Sequence, residues 1–403
     1  MMPKWSEWRA TYRVVTPMFC AGADPQKPEL RAASFKGVLR FWWRALAWGW
    51  YNGDLTKICE AEEYIFGGVS QGQSKVRVQL RPCGPQPTGP QSWDPAQAGL
   101  IYLAGMGLVK FRKQPQPGVP SSNDLRFSVI VHLSPDLRDK HRQQIRDALT
   151  AVGLFGGLGA RSRRGFGSLT LLKLEADGEV RAGPPADPPA LRQDLQRLLS
   201  KARNAECYPR YTAFSNHSQI LAVSDTAWKP LEALEKLGEE FLSYRSWGRL
   251  DRSTGRYMTS LRQPAEQNFR EDHDLIADFL EGQAKPKEPP RRIAFGLPHN
   301  YFFSTSHQNV EVTGAFHSRR ASPLIFHVHQ GEQGAVTLLV IFLPAVFLPE
   351  QEKIKITPLS RPKESVEVQQ RQATELWKPI EDFLKRLEDR PKYLNSPAQR
   401  LWP

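Results

Sequence analysis

Cysteine is scarce in this chain. Its 403 residues include only four (Cys20, Cys59, Cys83, Cys207), far apart and in no CxxC pair. That spacing argues against a disulfide framework or a zinc knuckle and agrees with a reducing cytosol. Long apolar runs are also missing, and nothing approaches the roughly 18 residues a membrane helix needs. The first residues, MMPKWSEWRATYRVV, are broken by charges and lack the apolar segment of a signal peptide. No lysine follows a glycine cluster as in a P-loop, and no GxGxxG follows a strand, which disfavours triphosphate and dinucleotide sites. With 40% hydrophobic and 24% charged residues the chain is neither disordered nor fibrous. A cytoplasmic globular protein of roughly two or three domains, with no membrane association, is expected.

Acidic residues are in deficit, 42 against 55 Lys and Arg, giving a net charge of +13 and a pI near 9.6. A polyanion is the first partner to consider. The surplus is uneven: residues 1–180 hold 24 basic and 15 acidic side chains, residues 181–403 hold 31 and 27. Between these halves the run AGPPADPPA, Ala182–Ala190, reads as an extended linker, because proline fixes φ and removes donors. Two domains follow, 1–180 and 181–403. Arg81–Pro95 and Gln114–Ser122 read as long surface loops, and Gly282–Pro290 divides the second half.

The first half alternates strand and helix. Trp8, Ala10, Tyr12 and Val14 fall on one face of a strand over Glu7–Val15. Ser34–Trp50 is the clearest helix, with Ser34 placed to cap it. Lys75–Leu80, Arg126–Leu133 and Leu169–Leu174 read as strands and Leu137–Val152 as a helix, with an additional strand over Leu100–Val109. Setting that extra strand aside leaves βαββαβ, the order of a ferredoxin-like or RNA-recognition unit. The second half repeats it with a strand at Ser218–Val223 and a helix at Ala227–Tyr244. A hairpin joins Pro323–His329 to Ala335–Phe342, and a closing helix covers Thr374–Leu387. Arg291–Phe303 offers one more strand, and no final strand is evident. The expected fold class is α+β, with tandem ferredoxin-like (RRM-like) βαββαβ domains.

Two segments stand out as places to hold a polyanion. On the helix Ser34–Trp50, Lys36, Arg40 and Arg44 lie within one stripe about 80° wide, beside an apolar face of Phe35, Leu39, Trp42 and Leu46. Arg31 precedes them, and Trp43 sits at the stripe's edge, where a ring could stack on a base. A solvated basic face explains the stripe equally simply. The absence of an acidic partner within the helix favours binding, since cations at i, i+4 and i+8 repel by a few tenths of a kcal/mol per pair.

The second segment, Gly153–Gly167 (GLFGGLGARSRRGFG), packs six glycines and three arginines into fifteen positions. Gly156, Gly157 and Gly159 would let backbone amides approach a phosphate, and Arg161, Arg163 and Arg164 would supply forked donors. A sharp helix-to-strand turn would need only one or two glycines, so a phosphate cradle for an RNA backbone is the preferred reading. Tyr244–Arg262 carries five arginines on a Gly/Ser/Thr-rich loop, either solvated or ordered by a polyanion. Arg319 and Arg320, ahead of Ser322-Pro323, could bind a phosphate or pair with acids.

Catalytic signals are thin. His327 and His329 share one strand face without a third metal ligand, and Asp251, Asp272 and Asp274 form no two-metal cluster. No cofactor, metal or catalytic residue is assigned. Metal-free RNA cleavage by one positioned His or Tyr stays open as an alternative.

The segments TPMFCAGADPQKPELRAASFKGVLRFWWRAL and GLFGGLGARSRRGFGSL resemble the RAMP superfamily of CRISPR-associated proteins. Together with RRASPL (Arg319–Leu324) they are similar to the first RAMP subunits of the Cmr, type III-B, effector complex. The resemblance covers about the first 175 residues well and the second half only through RRASPL and length. It implies a non-catalytic subunit for antiviral defence, partnered by guide RNA near its 3′ end, target RNA and other RAMP subunits. It also implies binding positions at Lys36, Arg40, Arg44, Arg161, Arg163 and Arg164. The superfamily includes endoribonucleases that process guide precursors, so metal-independent cleavage is the rival activity.

Overall fold

The computed structural model describes residues 4–24, 29–83, 97–105, 108, 125–182, 188–304, 306–331 and 334–403. The first half contains β1 (Ser6–Val14), α1 (Ala32–Trp50), α2 (Leu55–Phe66), β2 (Val76–Cys83), α3 (Ala98–Ala104), β3 (Arg126–Leu133), α4 (Asp139–Phe155), β4 (Leu169–Ala176) and β5 (Glu179–Ala182). Its antiparallel sheet runs β2-β3-β1-β4-β5. The alternation in β1 works as the pattern requires: Trp8, Ala10, Tyr12 and Val14 are buried, and the Tyr12 hydroxyl donates to the Leu149 carbonyl of α4 at 2.8 Å. On α1, Phe35, Leu39, Trp43 and Leu46 are buried, each contributing about 1.5–3 kcal/mol by leaving water.

The second half continues with α5 (Pro188–Leu199), β6 (Gln219–Asp225), α6 (Pro230–Arg245), β7 (Arg249–Asp251), β8 (Arg256–Met258), α7 (Arg270–Glu281), β9 (His299–Phe303) and β10 (Gln308–Gly314). After these come β11 (Leu324–Gln330), β12 (Val336–Phe342), β13 (Ile354–Pro358), β14 (Val366–Val368), α8 (Ala373–Asp389) and β15 (Gln399–Trp402). One sheet is ordered β11-β12-β6-β15, the arrangement of β2-β3-β1-β4, with α6 and α8 in the chain positions of α1 and α4. A second, β14-β13-β10-β9, is inserted in sequence around it. The final strand that the reading of the second half lacked is β15, and β5, β7, β8, β10, β13 and β14 were not anticipated either.

Strands β11 and β12 are buried along their whole length because both faces of their sheet are covered, which is why β12 is apolar at every position but Thr337 and why His327, His329 and Gln330 of β11 are buried too. Ile220, Ala222, Ile325, Leu339 and Ile341 join the core of the first half. Leu221, Val223, Phe326, Leu338 and Val340 join a core shared with α6 and α8.

Several expectations need correction. Leu100–Val109 is not a strand: Ala98–Ala104 is helical, and 106–107 and 109 lie outside the described residues. Tertiary contacts decide this, since the Glu235 carboxylate accepts from Gly99 and Leu100 amides, and Gly99 and Gly238 let α3 and α6 touch backbone to backbone. Ser34 lies inside α1, whose cap is Arg31 without a side-chain bond. The proline-rich stretch is helical from Pro188, with 183–187 outside the described residues. Residues 81–83 of the first expected loop finish β2, while its remainder and Gln114–Ser122 are also outside them. Arg291–Phe295 is a 3-10 turn, leaving only His299–Phe303 as strand. Arg249–Met258 folds into a small hairpin rather than an open loop. No helix among the described residues is long and apolar enough to cross a membrane.

Candidate nucleic-acid interface

The Gly/Arg segment runs from the end of α4 to the start of β4 and lies along the free edge of β11. The Phe326 amide donates to the Arg163 carbonyl at 3.0 Å, the Val328 amide to Ser168 Oγ at 3.1 Å, and the Gln330 amide to Thr170 Oγ1 at 3.2 Å. The segment therefore covers an exposed sheet edge and joins the two halves. Its glycines serve that packing and do not form the phosphate cradle expected of them. A Cβ on Gly156 would lie 2.5 Å from the Val152 carbonyl oxygen, one on Gly157 3.0 Å from that of Gly167, and one on Gly159 (φ +89°) 2.5 Å from that of Phe19. Amides of the turn bond inward as well, Leu158 to Gly167 and Ala160 to Phe19.

Holding the glycines inward aims the arginines elsewhere. A cleft of about 1070 Å³ is lined by Arg44 from α1, Arg163 from the Gly/Arg turn, and Arg319 and Arg320 from the segment before β11. Arg210 and Arg371 add two cations, and Phe41, Tyr208 and Tyr211 provide aromatic rings. Glu350 is the one carboxylate among its lining residues. Arg163 is anchored through Nη1 to the Ser322 carbonyl at 2.7 Å and lies over the Phe41 ring. Tyr211 donates to the Arg44 carbonyl at 3.1 Å, fixing one ring on the wall. An adjoining cavity of about 500 Å³ takes Arg161, Arg163, Arg164, Arg245 and Arg320. Burial, reinforced by Arg320, lowers the Arg163 guanidinium to about 10, and burial, reinforced by Arg245, does the same to Arg164. Both stay protonated at neutral pH. Burial also lowers Arg245 and Arg320.

Six of the sequence-derived positions thus converge on these cavities: Arg44, Arg161, Arg163, Arg164, Arg319 and Arg320. The rest of the α1 stripe does not line them. Lys36 donates to Ser74 Oγ at 2.9 Å, and burial followed by the nearby Arg40 lowers its pKa. Arg40 pairs with Glu62, which also faces Arg44 at 3.5 Å. The missing acid partner of the stripe therefore comes from α2. Arg31 is exposed, 3.9 Å from Glu29. Trp43 is wholly buried against Trp50 and Phe66 and cannot stack on a base. Arg210, Arg371, Tyr208 and Tyr211 escaped notice as cleft residues because no single segment gathers them into a basic cluster, whereas Arg245, part of the Tyr244–Arg262 arginine run, lines the smaller cavity. His327 and His329 are buried, and no three His, Cys, Asp or Glu among the described residues could hold a metal ion.

Replacing Glu62 tests how far this pairing restrains the stripe. Glu62→Gln should release Arg40 and Arg44, tightening single-stranded RNA binding about two- to fivefold while costing about 1–3 kcal/mol of stability. Fluorescence anisotropy and thermal melting read both, and weaker binding would refute the pairing as a restraint.

A RAMP superfamily profile matches residues 11–170, from β1 into β4. Over 172 residues, 40% of this chain, the sequence is 30% identical to the CRISPR system Cmr subunit Cmr1-2 of Pyrococcus furiosus, covering 92% of that protein. The chain belongs to the RAMP superfamily. Within it the similarity is to the Cmr1 subunits: Cmr1-1 of the same organism is 29% identical over 151 residues, 37% of this chain, though that match spans only 43% of the relative. The crystal structure of Cmr1 from Pyrococcus furiosus, in its apo form, shares the fold across 98% of this chain and 99% of its own, with a TM-score of 0.56 and 16% identity.

Proposed function

We propose that the chain is a non-catalytic RNA-binding subunit of a type III-B (Cmr) CRISPR ribonucleoprotein. It contacts guide RNA near its 3′ end together with target RNA, beside other RAMP subunits, in cytoplasmic antiviral defence. The observation that carries this reading is the meeting of Arg44, Arg163, Arg319 and Arg320, from three separated segments, in one cleft with aromatic rings. Phosphates are met by the cations and bases by the rings, so affinity is salt-dependent and weakly selective for sequence. We read the β2-β3-β1-β4 and β11-β12-β6-β15 sheets as two ferredoxin-like units, residues 1–180 and 181–403, with the cleft where they meet.

Ultraviolet crosslinking of the protein to single-stranded RNA, followed by peptide mapping, tests the reading. Labels are expected on Phe41–Arg44, Tyr208–Tyr211 and Arg319–Arg320, with the RNA recovered intact in EDTA. Labels confined to other surfaces would overturn the cleft assignment, and cleavage lost on changing one His or Tyr would establish the endoribonuclease instead.

A further inference from the structure

The smaller cavity differs in kind from the cleft. Arg161, Arg163, Arg164, Arg245 and Arg320 line it with no Asp or Glu beside them, and among the described residues none of the five is ion-paired. Each is held from behind by neutral groups. Arg161 Nε donates to the Ala104 carbonyl at 2.7 Å, Arg320 Nη2 to the Val346 carbonyl at 3.2 Å, and Arg245 Nη1 to the Tyr102 hydroxyl at 3.0 Å. Arg164 lies over the Phe241 ring at 4.8 Å. Arg164 Nη1, Arg245 Nε, Arg320 Nε and His299 Nε2 are buried without a hydrogen-bond partner. Buried donors are normally satisfied and buried cations normally paired. Five guanidiniums gathered without a counter-charge are accounted for when an anion is their ligand.

The charge and the size say which anion. A phosphodiester in a strand carries a single charge, whereas a phosphomonoester carries about −1.5 to −2 and three acceptor oxygens. The forked donors of several arginines match the second better. A cavity of about 500 Å³ also exceeds what a phosphate group alone would fill. Because Arg163, Arg320 and Ala321 line both cavities, a strand lying in the cleft can deliver its end here.

We propose that this arginine pocket is a receptor for the terminal phosphate of an RNA strand, taking the last nucleotide while the rest of the strand follows the cleft. The inference rests on the RNA-binding reading above and adds an end specificity to it.

Anisotropy with the full chain tests it on one short sequence prepared with 3′-phosphate, with 5′-phosphate, with hydroxyl ends only, and closed into a circle. One phosphorylated form should bind about tenfold tighter than the circle, the gain of about one charge-assisted contact, and its identity names the end. That ratio should collapse to unity in Arg164→Gln and Arg245→Gln, and fall partway in Arg161→Gln, a residue on the exposed rim that the core does not need. Equal binding of all four RNAs, or a ratio that survives in the variants, overturns the pocket and leaves the RNA-binding reading standing. Failure of every RNA, the circle included, overturns that reading. The pocket is then judged by melting temperature alone: a rise with 3′-AMP or 5′-AMP that Arg164→Gln abolishes supports it, and no rise refutes it.

Discussion

Changing Arg163 and Arg320 together to alanine should weaken binding of any single-stranded RNA by about 100-fold or more. Each charge-assisted hydrogen bond to a phosphate contributes about 1.5–3 kcal/mol. Two of them, discounted for solvent at the cleft mouth, give about 3 kcal/mol, or two orders of magnitude. These two residues line both cavities, whereas Lys36, Arg40 and Arg44 are partly committed to Ser74 and Glu62. The salt dependence is the sharper readout, because losing two contacts to a single strand should reduce the slope of log K against log salt by about 1.4. The single variants should not add up to the double. Arg320 helps lower the Arg163 guanidinium, so removing one cation relieves the other. Filter binding over a salt series with two unrelated sequences decides the matter. A loss confined to one sequence, or an unchanged slope, would mean that phosphates are not what these residues hold.

The repeating elements were legible in the sequence where local pattern and tertiary burial agree. The alternation of Trp8, Ala10, Tyr12 and Val14 placed β1, and Arg126–Leu133 was read to the residue as β3. Pro323–His329 and Ala335–Phe342 were read as a hairpin, and the pairing of β11 with β12 from Leu324↔Phe342 to Gln330↔Val336 bears that out. α2 was overlooked although its signals were present: Asp54 accepts from the Lys57 amide at 3.1 Å, and Ile58, Ala61, Ile65 and Phe66 recur at helical spacing. α3 was beyond reach, because a short apolar run does not separate strand from helix, and only contact with α6 settles it. β15 has four residues at the chain's end and is defined by pairing with β6.

The candidate interface was legible as a set of residues but not as a shape. Local composition picked out Arg44, Arg161, Arg163, Arg164, Arg319 and Arg320, since arginines without nearby acids are conspicuous in any fold. Composition could not separate a glycine that approaches a phosphate from one that approaches Phe19 or Val152, because both need the same missing Cβ. Nor could a helical wheel show that Trp43, at the stripe's edge, faces Trp50 and Phe66. Both errors share one cause: the partner of a surface lies elsewhere in the chain. The same cause hid Glu62 from the stripe, and it hid the meeting of Arg245, read only as part of the Tyr244–Arg262 loop, with Arg161, Arg163 and Arg164.

Asp272 shows what the pocket's far wall depends on, and Asp272→Ala should cost about 3–5 kcal/mol. Its carboxylate is buried in the first turn of α7, where it accepts from the Arg291 and Arg292 amides at 2.7 and 2.8 Å and from the Tyr301 hydroxyl at 3.3 Å. Arg292 Nε lies 3.6 Å away, its guanidinium over the rings of Tyr301 and Phe269. Truncation would strand a largely buried cation and two turn amides at once, and losing one partner of a buried pair costs more than the pair itself is worth. For a chain this long, unfolding entropy implies about 1 °C of melting temperature per kcal/mol, hence a fall of about 3–5 °C. Asp272→Asn keeps the shape and one acceptor oxygen while losing the charge, so it should fall between the two. The 3-10 turn that Asp272 fixes leads directly into Gly296–His299, which line the arginine pocket. Preference for a phosphorylated RNA end should therefore weaken in Asp272→Ala even where the protein remains folded. A variant melting within 1 °C of the parent would show that Asp272 does not hold this wall.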